Sequence, residues 1–69
     1  MDRITTDIKK CGGRPCIRNT RVRVTDVLEL LSNGLTYDEV LEELPDLEIE
    51  DIYAVLKYAD TRLNYAVLG

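Results

Sequence analysis

The chain has no histidine, tryptophan or phenylalanine, and holds only two cysteines, two prolines and one methionine. Without histidine it lacks the commonest general base and a common metal ligand. Cys11 and Cys16 are two thiols with no imidazole beside them, short of the four Cys/His ligands of a structural zinc site. No metal or cofactor is therefore expected, and the cysteines read as small apolar residues that pack their loop. No apolar run approaches the roughly 18 residues of a membrane span. Two cysteines make no disulfide framework and no secretory signal precedes them, so a reduced cytoplasm is the expected compartment. The aromatic content is four tyrosines, which leaves Leu, Val and Ile to build the core.

The charge that is present is unevenly placed. Up to Val24 there are seven Lys/Arg against Asp2 and Asp7; from Thr25 onward there are Lys57 and Arg62 against eleven carboxylates. The formal net of −4 hides this polarity. So steep a change suggests that different faces meet different partners. At 69 residues the chain is one domain, with residues 1–24 as a basic β arm and loop and 25–69 as an acidic three-helix core. A chain this short buries only about 60% of its unfolded surface, so its core is marginal and association, here as a homodimer, is expected.

Ile4-Thr5-Thr6-Asp7-Ile8 alternates as a short half-buried strand does. In Cys11-Gly12-Gly13-Arg14-Pro15-Cys16 two glycines permit positive φ, and Pro15 fixes its own φ and extends Arg14 before it. The result is a rigid irregular loop presenting Arg14. A tight turn at Asn19-Thr20 precedes Arg21-Val22-Arg23-Val24, which alternates as a strand.

The period then becomes helical. Val24, Val27, Leu28 and Leu31 form a first stripe, with Thr25 as N-cap and Gly34 as the terminating residue. Thr36-Tyr37-Asp38-Glu39 is a capping box that opens a second helix, with Tyr37, Val40, Leu41 and Leu44 inward and Pro45 as its stop. A third helix starts near Glu48 to Glu50 and buries Ile52, Val55, Leu56, Ala59 and Leu63; Tyr65 to Leu68 either extend it or dock elsewhere. The fold class is mainly α, a three-helix, helix-turn-helix-like core preceded by a short N-terminal β arm or hairpin.

Arg14, Arg18, Arg21 and Arg23 are the candidate partner-binding residues, because guanidinium forks suit phosphates and clustered carboxylates. The plainer alternative is that they keep a β edge soluble. Glu29, Asp38, Glu39, Glu42, Glu43, Glu50 and Asp51 read as a solvated face, or as a surface that docks on a basic protein. Gly12-Gly13 lacks the Gly-Lys-Ser/Thr of a phosphate loop. No nucleophile-plus-base pair is visible, so the chain is not expected to be an enzyme. For nucleic acid the candidates are Arg18, Arg21, Arg23, Lys57 and Arg62. A third helix in the major groove would bring Asp51, Asp60 and the Glu48/Glu50 start toward phosphates, so the basic arm is the better contact.

Asp2-Arg3-Ile4-Thr5, the string Cys11-Gly12-Gly13-Arg14-Pro15-Cys16-Ile17-Arg18-Asn19-Thr20-Arg21-Val22, the Gly34-Leu35-Thr36 turn and Pro45-Asp46-Leu47 before Asp51-Ile52 together fit one pattern. The chain resembles the domain-of-unknown-function family 433, small prokaryotic proteins regarded as VapB-like antitoxins. The resemblance spans nearly the whole chain. It implies a homeodomain-like helical fold with an N-terminal β segment, and a PIN-like ribonuclease toxin as partner. Asn19 stands where relatives tend to have Gly, and Glu48 where they tend to have a Thr or Ser cap. The expected function is that of an antitoxin, by insertion of Arg14 among the toxin's metal-binding carboxylates or by acidic helices that mimic RNA. The alternatives are a DNA-binding repressor of its own operon and a structural interaction module.

Overall fold

The structure, a computed structural model, describes residues 3–6, 9, 11–18 and 20–68, with the side chains of 11 and 64–68 excepted. Strand β1 (Ile4–Thr5) pairs antiparallel with β2 (Cys16–Ile17), Ile4 opposite Ile17 and Thr5 opposite Cys16. A short 3-10 turn at Cys11–Gly13 lies between them. Three helices follow: α1 (Val24–Ser32), α2 (Tyr37–Glu43) and α3 (Ile49–Leu68). The helices pack on one another, and β1 lies against α3.

Strand β1 is shorter than the alternation of residues 4–8 suggests, and the part of that pattern at Asp7 and Ile8 lies outside the described residues. The expected strand over Arg21–Val24 is reduced to one bridge between Arg23 and Cys16. The chain turns helical at once, so α1 is capped at Arg23 and not at Thr25. The cause is Asp26, whose carboxylate accepts the Arg23 backbone N–H at 2.9 Å and pairs with its guanidinium at 3.2 Å. An acid at this place satisfies one of the first-turn donors and complements the helix dipole.

Gly34 ends α1 as its position suggests. It sits at φ 93°, where glycine pays no Cβ penalty. Its N–H donates to the Leu31 carbonyl at 3.0 Å, and that of Leu35 to Leu30 at 3.3 Å, the paired bonds of a Schellman stop. The capping box of α2 also forms: Thr36 N–H donates to Glu39 Oε1 at 2.8 Å, and Glu39 N–H to Thr36 Oγ1 at 3.2 Å. Helix α3 runs on through Tyr65 to Leu68.

The core consists of Ile17, Val24, Val27, Val40, Leu47, Ile52 and Val55, aliphatic throughout. Fully burying each such side chain stabilises the fold by about 1.5–3 kcal/mol. Leu63 departs from its expected place: although it continues the stripe of Ile52, Val55 and Ala59, it is 65% exposed. Tyr37 is also exposed, at 40%, and meets Tyr53 edge-on with ring centroids 6.1 Å apart. Cys16 is buried, as expected of a packing residue, but is disulfide-bonded where the sequence suggested a free thiol. Its Sγ lies 3.4 Å from the Arg14 carbonyl oxygen, a contact and not a hydrogen bond, because a disulfide sulfur has no proton to donate. The Cys11 side chain and the Asn19 turn position lie outside the described residues.

Candidate functional site

The four candidate arginines do not share one environment. Arg14 is exposed at the tip of the loop, and among the described residues no side chain pairs with it. The loop that carries it is tied down on its C-terminal side. Gly12 and Gly13 take φ 63° and 82° before it, a left-handed path that side chains resist. After it, Val24 N–H donates to the Pro15 carbonyl at 3.0 Å, and Cys16 is buried between β1 and the Arg23 bridge. Arg14, Arg21 and Arg23 line one polar concavity with Gly12 and Asp26. Arg23 is partly neutralised there by Asp26, while Arg14 and Arg21 are exposed.

Arg18 faces the other way. Its Nε donates to Asp51 Oδ1 at 2.9 Å and its Nη2 to Asp51 Oδ2, a bidentate pair, while Nη2 also reaches the Asp46 carbonyl at 3.1 Å. Arg18 takes φ 43°, an uncommon backbone for a residue with a Cβ, and the Asp51 pair helps to hold it there. Arg3 joins from β1's end, with Nη1 at 2.9 Å from both Asp51 Oδ1 and Glu48 Oε1. Arg3's role was not legible in the sequence, since one arginine before a strand is ordinary by itself.

Asp51 corrects a sequence-based expectation. The sequence pattern puts it on a solvated face, yet its side chain is fully buried. It lies in the first turn of α3 and accepts the Glu48 backbone N–H at 2.8 Å, so it also closes the start of that helix. Hydrogen bonds from Arg18 hold its carboxyl well below the usual carboxylate range. The Glu48 N–H and Arg3 act in the same direction, and burial opposes them. One buried anion thus joins the hairpin, the turn after β2 and the third helix. Part of the sequence's charge polarity is consumed inside the molecule.

Lys57 and Arg62 are exposed on α3, with the Arg62 guanidinium 4.9 Å above the Tyr58 ring. They share a shallow concavity with Arg3 and Tyr58, apart from the one formed by Arg14, Arg21 and Arg23. The five nucleic-acid candidates are therefore divided among three places, with Arg18 turned inward. Among the described residues no three His, Cys, Asp or Glu side chains gather to hold a metal ion, and no helix is long and apolar enough to cross a membrane.

The fold has a solved counterpart. A crystal structure of a DUF433 member protein from Anabaena variabilis superposes with a TM-score of 0.85 and 29% sequence identity, covering 94% of this chain. The chain spans 64% of the length of that protein chain. No curated protein matches the sequence. Residues 4–59, which take in the hairpin, the arginine loop, α1, α2 and the first half of α3, match the family described as "Protein of unknown function (DUF433)", and the chain belongs to that family.

Proposed function

We propose that the protein is a non-catalytic, VapB-like antitoxin that binds and silences a PIN-like ribonuclease toxin. The observation that supports this reading is Arg14: an exposed guanidinium without a side-chain partner among the described residues, on a loop tied to the start of α1 and beside Arg21 and Arg23. PIN-type nucleases hold a divalent metal with clustered carboxylates. A guanidinium inserted among those carboxylates offers planar, charge-assisted hydrogen bonds and competes with the cation. A fixed loop loses little conformational freedom on binding, which favours affinity. Arg18 supports the site from behind, by tying the turn to α3. In this reading the protein acts as a homodimer.

The test is affinity purification of the tagged full chain from its native host, with mass spectrometry and an RNA-cleavage assay of what is recovered. The expected result is a small PIN-like nuclease whose activity falls when the chain is added. Inhibition by Arg14→Glu is expected to be at least about tenfold weaker, the effect of losing roughly 1.4 kcal/mol of binding. Unaltered inhibition by that variant would move the active surface to the acidic helices.

A second reading, repression of the protein's own operon, is favoured by Lys57 and Arg62 standing exposed on α3 while Asp51, which would have repelled phosphates, is buried. It requires retardation of upstream DNA at low salt that falls steeply as salt rises. No retardation at low salt excludes it.

A further inference from the structure

A groove of about 500 Å³ runs between the first turns of α1 and the second half of α3. Its walls are almost wholly apolar, built from Val24, Leu28, Tyr58 and Leu63, with Arg14 and Arg62 among the residues lining it. Exposed leucine on a helix beside an open apolar channel is a surface with something left to bury. The charge around it is selective. Among the described residues eleven are Asp or Glu, and none of them lines this groove. The carboxylates Glu29, Glu39, Glu42 and Glu43 line concavities elsewhere, against α1 and α2.

We infer that this groove receives an amphipathic helix of a partner protein, with an apolar stripe flanked by carboxylates. A channel between two helices accepts the i, i+3, i+4, i+7 stripe of a third. Arg14 meets acidic flanks on one side. Arg62, kept at the rim by its stacking on Tyr58, meets them on the other. The carboxylates of α1 and α2 repel such a helix, which favours docking on the groove. Two copies meeting groove to groove would set cationic rims against each other, so a symmetric self-pairing fits poorly. This inference stands apart from the antitoxin reading, since it requires no nuclease.

The probe is a synthetic helix with a leucine stripe and glutamate flanks, titrated into the isotope-labelled full chain and followed by amide NMR. A peptide with the same leucines and lysine flanks is the control. The expected result is saturable shifts at Val24, Leu28, Ala59 and Leu63, with the lysine peptide at least about tenfold weaker. Arg62→Glu is expected to weaken the acidic peptide about tenfold. Leu63→Ser, at an exposed position that leaves the core intact, is expected to weaken both peptides. Absence of shifts, or equal binding of the two peptides, overturns the inference. Groove amides that shift on dilution without peptide also overturn it, by giving the groove to a second copy.

Discussion

Asp51 has more bearing on the fold than any other charged residue described. It is a fully buried carboxylate with Arg18, Arg3 and a backbone N–H on it. Removing one member of a buried pair costs about 3–5 kcal/mol. A domain of this length has about 3–10 kcal/mol in all. Asp51→Asn is therefore expected to remove a large share of the stability, measured by urea unfolding in the cold. Its titration carries a sign that can be checked. The folded-state pKa lies below the unfolded value of about 3.9, so the contribution is fully present above that value. It is lost as pH falls below about 4 toward the folded-state pKa. The wild-type unfolding midpoint is expected to drop across that acid range, and that of Asp51→Asn to change much less. Equal slopes would mean that Asp51 is not the group responsible.

At the scale of elements, the local signals form as read. Thr36 and Glu39 are three residues apart and cap α2; Gly34, just past the Asn33 C-cap, stops α1; the apolar periods give three helices. Each depends on neighbours within one or two turns, which is why these elements were legible in the sequence. What was not legible needs distant partners. Asp51 sits in the first turn of α3, as many solvated acids do, and is buried only because Arg18 and Arg3 arrive from 33 and 48 residues away. The strand after Arg21 fails because Asp26 caps α1 earlier than Thr25 would, so a helix start displaces an alternating pattern. Leu63 obeys the stripe yet, among the described residues, is left exposed. Two substitutions test the stops and starts. Gly34→Ala meets no atom within 4 Å, so its cost is the left-handed backbone alone, about 1–2 kcal/mol by thermal or chemical unfolding. Thr36→Ala is expected to cost about 1 kcal/mol in the same assay.

Over the whole molecule, the sequence's basic and acidic halves do not become two simple faces. Arg3 and Arg18 turn inward to Asp51 and Arg23 pairs with Asp26, so Arg14 and Arg21 are the exposed arginines of the loop side. The antitoxin reading thereby gains a sharper form: one loop guanidinium acts on the toxin while Arg18 keeps that loop's surroundings in place. Arg18→Gln is accordingly expected to lower stability, with any loss of inhibition following from partial unfolding. Arg14→Glu is expected to leave the unfolding midpoint unchanged. The candidate residues were legible as a cluster of arginines, but which of them face outward was not, since that division is made by the buried acid.

The most direct measurement is a paired purification from the native host, with the wild-type chain and Arg14→Glu as baits under identical conditions. The account expects the wild type to bring down a small PIN-like nuclease and Arg14→Glu to bring down at most about a tenth as much, matching a tenfold loss of affinity. Equal recovery by both baits, or no nuclease with the wild type, would contradict it.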